Sequence, residues 1–144
     1  MNTQEVAATV ASASVAVDLG LHLWNYGIPR VWDISTYSNP QGLQNITTIA
    51  GVGTTAVVSG IASEDLKSAV DALPTPYDRI IGKSAVASTF LSSKTVIQTA
   101  VLIAYSMMIP DGANVRNEYL MKQLAPSIVL NSIVAFAVPY ATSK

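Results

Sequence analysis

The chain has 144 residues and contains no cysteine. Disulfides, thiolate nucleophiles and cysteine-ligated metal sites all need that residue, so the sequence excludes these three kinds of chemistry. His22 is the single histidine. Even together with a nearby Asp18 it offers only two of the three or four protein ligands that a zinc site requires. We therefore expect no bound metal and no cofactor.

Charge is also scarce. Charged residues make up 12% of the chain, against about 25% in an ordinary soluble domain. Eight basic and nine acidic residues give a net charge of −1, and no basic patch is present, so we expect no nucleic-acid partner. The first basic residue is Arg30, so a cleaved signal peptide or a basic presequence is not expected either.

Long stretches of the chain carry no charged residue at all: 34–63, 95–110 and 123–143. A fourth stretch, 6–29, holds only Asp18 and His22. Half of all residues are hydrophobic, and the mean hydropathy is +0.39. Because an ionised side chain is costly in hydrocarbon, such stretches are typical of membrane spans.

The sequence thus predicts an all-α fold, a multi-span transmembrane helical bundle that forms a single membrane-embedded domain over 1–144. Each span needs about 20 residues, and the four segments are Val6 to Trp24, 43–62, 84–109 and 119–140. A charge at a helix centre costs about 2.5–3.5 kcal/mol. Asp18 therefore nearly cancels the gain from the Val and Leu of the first segment, and the bundle has three spans if that segment does not insert. A short amphipathic helix capped by Ser63 is predicted near 64–73.

Small side chains recur at every fourth position along two of the segments, and one amide lies in the middle of the fourth segment. Residues four apart lie on one face of a helix, and small residues there let two helix backbones approach closely in lipid. A buried amide can form a hydrogen bond between helices. The predicted helix-packing residues are Ala8, Ser12, Ala16 and Gly20, then Gly51, Thr55 and Ser59, and finally Asn131.

Aromatic residues are concentrated between the first and second segments. Trp and Tyr favour the headgroup level of a membrane, where a ring and a polar tip are both accommodated. We predict an interfacial loop, with a short strand-like or in-plane piece, and an aromatic lid over a soluble core is the alternative. The predicted interfacial aromatic residues are Trp24, Tyr26, Trp32 and Tyr37.

Three ionisable residues fall inside predicted spans: Asp18, His22 and Lys94. Asp18 and His22 are four residues apart and share a helix face, and an ionisable pair within a membrane is a candidate proton or ion pathway. The alternative is that each is satisfied by a polar neighbour or by the headgroups. Counted from the ends of their segments, Asp18 and Lys94 differ in depth by roughly 10 Å, so we expect Lys94 to extend towards the membrane surface and not to pair with Asp18.

No catalytic motif is complete. The sequence Gly82-Lys83-Ser84 ends like a P-loop, but Tyr77 stands where the first glycine is needed. A nucleophile elbow with a matching histidine and acid is missing as well. We expect the protein not to be an enzyme.

The favoured function is therefore a structural membrane protein, a small subunit packed within a larger complex. Its partners would be the lipid bilayer and other protein subunits, in a homo- or hetero-oligomer, because Ala, Gly, Ser and Thr replace the Leu of a lipid-facing surface. A virus particle with an internal membrane, in which the chain is a minor capsid component, is the first setting. The alternatives are an accessory subunit of a respiratory or photosynthetic complex, a small transporter or channel subunit that uses Asp18 and His22, and a soluble helical bundle.

Overall fold

The computed structural model describes residues 1–30, 32–33 and 37–143. The chain is 84% helical, with no strand in these ranges. The helices follow one another as α1 (Thr3–Tyr26), α2 (Pro40–Asp71), α3 (Pro76–Ser106), α4 (Gly112–Tyr119), a π-helical turn (Leu120–Leu124) and α5 (Ala125–Ala141).

The first three helices begin at residues whose side chains cap them. Asn2 and Glu5 form a reciprocal capping box at the start of α1. Asn39 caps α2 and Thr75 caps α3, and a proline follows each of them. These side chains accept hydrogen bonds from the free N–H groups of the first turn, and proline fits the first helical position because it has no N–H to leave unpaired. The helix starts are thus encoded locally.

The helices run alternately up and down. The Thr3 backbone N–H donates to a carboxylate oxygen of Asp71, 3.0 Å away, and the Met1 amino group donates to the Thr142 carbonyl at 3.2 Å. Both chain termini and the connection between α2 and α3 therefore lie at one end of the bundle, the terminal end. The connections at 27–39 and 107–111 lie at the opposite end, the loop end. Helices α1 and α3 each pack against α2 and α5.

Four helices are long and apolar enough to cross a membrane: Thr3–Tyr26, Pro40–Asp71, Pro76–Ser106 and Gly112–Ala141. The last is one 30-residue helix that comprises α4, the π turn and α5. The predicted all-α bundle with four membrane-length helices is confirmed, and the first helix, although the shortest of the four, meets the same criteria of length and hydropathy. By these criteria the chain is a multi-pass membrane protein.

The helix bounds differ from the sequence prediction in two places. The separate amphipathic helix near 64–73 is wrong, because α2 continues without a break to Asp71 and Ser63 bonds only to the Gly60 carbonyl of its own helix. No proline occurs between Pro40 and Pro74, so no residue of that type ends the helix earlier. The third helix is shifted towards the N-terminus, since it begins at Pro76 and ends at Ser106.

A tight turn joins α3 to α4. Asp111 adopts the left-handed conformation with φ 56°. The next residue is Gly112, where a Cβ would overlap the carbonyl oxygen of Ser106. The interfacial loop predicted from Trp24 to Tyr37, with its strand-like or in-plane piece, includes residues 31 and 34–36, which lie outside the described residues.

The core changes in character along the bundle. Towards the terminal end it is an apolar cluster that includes Val6, Val10 and Phe90. Towards the loop end the cluster around Leu43 and Tyr119 is accompanied by polar side chains. The largest polar or charged side chains that are fully buried are Lys94, His22, Gln98, Gln123 and Asn45. This polar part of the core holds the candidate site.

Candidate functional site

An ion pair lies in the interior of the bundle between α1 and α3. The Lys94 ammonium donates to Oδ2 of Asp18 at 2.6 Å, and each side chain is 1% exposed. A buried charge is stable only when its partner and its hydrogen bonds replace the water that it has lost. Asp18 and Lys94 therefore supply each other with a counterion inside the bundle.

The prediction that these two residues do not pair is wrong, and helix geometry gives the reason. Asp18 lies eight residues before the end of α1 at Tyr26, and Lys94 lies twelve before the end of α3 at Ser106. At 1.5 Å per residue the depths differ by only about 6 Å. The four-carbon stem of a lysine spans such a distance. The larger difference in depth that the sequence predicted followed from placing the end of the third helix at Ile109.

Helix α5 completes the shell around the Asp18 carboxylate. Ser127 donates to Oδ1 of Asp18 at 2.5 Å and accepts from Lys94 at 2.9 Å. The Asn131 amide donates to the same Oδ1 at 3.3 Å and to Ser127 at 3.0 Å. Three helices thus meet at one carboxylate, and both of its oxygens have partners. Removal of either charge, that of Asp18 or that of Lys94, would leave the other without a counterion.

The π turn brings further polar side chains to the same face. Gln123 lies in this turn, and its amide donates to the Asp18 carbonyl at 2.9 Å. Tyr119, Gln123, Ser127 and Asn131 are all buried at a four-residue spacing. In a straight α-helix each such step turns the face by about 40°, whereas the wider π turn, with its i to i+5 bonds, reduces that drift. This local widening keeps the row directed at α1.

His22 belongs to a second network, one turn nearer the loop end. Its Nδ1 lies 2.8 Å from Oγ1 of Thr48, its Nε2 lies 3.0 Å from Oδ1 of Asn45, and Thr48 lies 2.8 Å from the Tyr119 hydroxyl. Asn45 Oδ1 can only accept, so Nε2 carries the proton. A neutral ring then accepts at Nδ1 from Thr48, which in turn accepts from Tyr119. Both ring nitrogens of His22 then have a partner with a single ring proton, whereas the Asn45 side-chain nitrogen is buried without a partner among the described residues.

Asp18 and His22 face the same interior, as their spacing predicts, but they are not joined. In the ranges that the structure describes, no hydrogen bond or ion pair connects them. Asp18 binds α3 and α5, whereas His22 binds α2. The same ranges hold no group of three or more His, Asp or Glu that could bind a metal ion. The arrangement is therefore suited to fixing helices against one another.

A cleft of about 360 Å³ opens between α3 and α5 on the outside of the bundle and reaches Lys94 and Asn131. Ser88, Ser92 and Thr95 of α3 also line it, so polar groups occupy a surface at mid-height of the helices. The carbonyl oxygen of Asn131 is buried and has no partner among the described residues. We call this feature the α3/α5 cleft.

The predicted packing residues fall on opposite sides of the bundle. Gly51, Thr55 and Ser59 are buried on the inner face of α2, and a Cβ on Gly51 would overlap the Gln98 side chain. The row on α1 is exposed along its whole length, and nothing lies within 4 Å of a Cβ built at Gly20. The bundle itself does not use this row, so its predicted role in helix packing stays a prediction. We call this row, which consists of Ala8, Ser12, Ala16 and Gly20, the outer row of α1.

Three of the four predicted interfacial aromatic residues are exposed, and the fourth is directed into the bundle. Trp24 is 88% exposed and Trp32 is 71% exposed, and Tyr37 is exposed as well, with its backbone carbonyl accepting from the Tyr105 hydroxyl. Tyr26 instead turns inward, with its ring stacked 6.1 Å from that of Tyr119. The three outer rings lie at the loop end, the level at which Trp and Tyr are enriched in membrane proteins.

Five residues of the two networks were not among the predicted site residues: Asn45, Thr48, Tyr119, Gln123 and Ser127. A signal for three of them exists, because Tyr119, Gln123, Ser127 and Asn131 repeat a polar side chain at every fourth position. Such a row in an otherwise apolar helix indicates a buried polar face. Asn45 and Thr48 carry no comparable pattern. Their role appears only when α1 and α2 are brought together.

Comparisons of the chain with protein-family models, with curated proteins and with solved structures found no match.

Proposed function

We propose that the protein is a structural subunit that packs against other protein within a membrane assembly. The observation that carries this proposal is the outer row of α1, four small residues in succession on an exposed helix face. Small side chains add little favourable contact with lipid, but they let another helix approach closely. Contact with another protein therefore stabilises a helix face of this kind more than contact with lipid does.

The interior of the bundle supports the same proposal. The Asp18–Lys94 pair is closed off by Ser127 and Asn131, and His22 is held in a network that needs no exchange of protons. Buried polar groups with satisfied partners specify one arrangement of helices. A subunit that presents fixed surfaces to its neighbours benefits from such a core.

Two settings fit a subunit of this kind. One is the internal membrane of a virus particle, with the chain as a minor capsid component, and the other is an accessory position in a respiratory or photosynthetic complex. Purification in a mild detergent separates them by the identity of the proteins that accompany the chain in fixed stoichiometry. Recovery of the chain alone, as a 15.1 kDa monomer, would contradict the proposal in both settings.

Transport is the second candidate function, and one observation favours it. The α3/α5 cleft opens on the outside of the bundle and Lys94 is among its lining residues, so an open space adjoins the buried ion pair. Reconstitution in liposomes with a pH-sensitive dye tests this candidate. A proton flux that Asp18→Asn abolishes would establish transport, and a wild-type flux no greater than that of empty liposomes would remove it.

A further inference from the structure

We infer that the α3/α5 cleft is part of a groove that binds one acyl chain of a membrane lipid, and that this lipid belongs to the leaflet at the terminal end. Such a site requires only that the four long helices lie in a membrane, and it goes beyond the proposed function. Three observations carry it: the course of the groove, its apolar lining, and its length compared with the thickness of one leaflet.

The groove follows α3 and α5 towards the terminal end. A second, more open hollow adjoins the α3/α5 cleft, because Ser132 and Phe136 line both of them. This hollow reaches Ile80 of α3 and Tyr140 of α5. We call the cleft and the hollow together the acyl groove.

The outer end of the acyl groove lies at the membrane surface. The charged residues Asp78 and Arg79 directly precede Ile80, and such side chains stay out of the hydrocarbon. Tyr140 is exposed at the same end, and a tyrosine ring with its polar tip favours the headgroup level. A lipid whose headgroup lies beside Tyr140 therefore has its acyl chains at the opening of the groove.

Apolar side chains form both the floor and the rim of the inner part of the groove. Leu91 and Ala135 line it and are buried in the apolar core cluster. Val96, Ile128 and Phe136 line it as well, but these three side chains are exposed. The buried residues form a floor between exposed walls, and this shape gives a narrow apolar ligand contact on several sides.

The polar residues of the lining are bonded to other groups of the protein. Lys94 and Asn131 direct their side-chain nitrogens at the interior network. The hydroxyls of Thr95 and Ser132 donate to the carbonyls four residues earlier in their own helices, at 3.0 and 2.7 Å. The same bond is open to the other hydroxyls of the lining, those of Ser88 and Ser92. The groove is therefore suited to a hydrocarbon chain and does not require a polar ligand.

The length of the groove distinguishes an acyl chain from a helix. At 1.5 Å per residue, α5 rises about 18 Å between Ile128 and Tyr140, and α3 rises about 24 Å between Ile80 and Val96. The hydrocarbon core is about 30 Å thick, so one leaflet contributes about 15 Å. The acyl groove is long enough for the chain of one leaflet and shorter than the contact that a membrane-crossing partner helix would make.

A photoreactive phospholipid tests whether the site is specific. The protein, purified in a mild detergent, is titrated with a phosphatidylcholine that carries a diazirine in one acyl chain, irradiated, and weighed by mass spectrometry. We expect labelling to saturate at one lipid per chain, with the attached lipid on residues 88–96 and 128–140. Labelling that rises without saturation and spreads over the exposed faces of all helices would overturn the inference.

Two pairs of variants locate the bound chain. Ser92→Phe places a ring in the cleft, and Thr89→Phe places the same ring at an exposed position of α3 that does not line it. Phe136→Ala removes part of the rim, and Leu130→Ala removes an exposed side chain from another face of α5. We expect Ser92→Phe to abolish the saturable labelling and Phe136→Ala to weaken it, whereas both controls keep it. The second pair decides the question where Ser92→Phe does not fold, and equal labelling within the pairs would overturn the inference.

The occupant in the native membrane is identified by a photoreactive benzoylphenylalanine at position 136, which keeps a ring at the rim of the groove. After irradiation of the membrane we expect an adduct with the mass of one lipid. An adduct with a second protein chain, whether another copy or a different protein, would overturn the inference and would still agree with the proposed function.

Discussion

The inner and outer faces of α1 have the same spacing and opposite roles. The inner row contains Val6, Val10, Ser14, Asp18 and His22, and all five are buried. The outer row of α1 is shifted from it by two residues, and two residues turn a helix by about 200°. The two rows therefore lie on nearly opposite sides of the same helix.

The difference between the faces shows what decides the orientation of a helix in a bundle. Both rows repeat at every fourth residue, so spacing alone does not identify the packed face. The inner row carries a charge that cannot remain in hydrocarbon without a partner, and its valines bury more apolar area than alanine or glycine would. Charge and side-chain volume, and not spacing, turned this face inward.

Loss of one charge from the inner face should have the largest effect. Lys94→Met leaves the Asp18 carboxylate buried without its counterion, and we expect a loss of about 3–5 kcal/mol in the free energy of unfolding. Titration of the purified protein from mild detergent into SDS, followed by circular dichroism, measures this quantity. An unchanged midpoint would mean that the ion pair does not hold the inner face.

The double variant Asp18→Asn with Lys94→Met sharpens that result. Neither charge is left unpaired, so the double variant should be clearly more stable than the sum of the two single losses predicts. Strict additivity of the two single effects would show that the residues act independently and would contradict the description of the pair.

An intermediate effect is expected at the loop end of the same face. His22→Phe removes both ring hydrogen bonds and leaves Asn45 Oδ1 without a donor, while Thr48 loses its acceptor. A buried group left unsatisfied costs about 1–3 kcal/mol, and the SDS titration should shift by that amount. Thr54→Val is the matched control, because the Thr54 hydroxyl bonds only to the Ala50 carbonyl of its own helix.

The smallest effects should differ in sign between inner and outer glycines. Gly51→Ala pushes a Cβ into the Gln98 side chain, which donates to the Thr47 carbonyl, so we expect a loss of about 0.5–1.5 kcal/mol as that bond is broken. Gly20→Ala has open space and should stabilise the monomer in detergent by about 0.5–1 kcal/mol through the reduced entropy of the unfolded chain. Effects of the same sign would contradict the assignment of the two faces.

The sequence predicted the number of helices and their approximate positions, because charge-free stretches and helix breakers are local signals. It did not predict the partner of Asp18, since a pairing across α1, α3 and α5 depends on the end of α3, and Pro110 suggested an end three residues too late. For a related reason, the sequence did not predict that the segment near 64–73 continues helix α2. Ser63 and Glu64 look like a helix start, but nothing before them ends the preceding helix.

If the proposed function is correct, protein and not lipid covers the outer row of α1 in the native membrane. A spin label attached at Ser12→Cys reports this through its collision rate with oxygen, which dissolves in the hydrocarbon. Val57→Cys on the exposed face of α2, 62% exposed and at a similar depth, is the lipid-facing reference. We expect a clearly lower collision rate at Ser12 than at Val57. Equal rates at the two positions would contradict the proposed function.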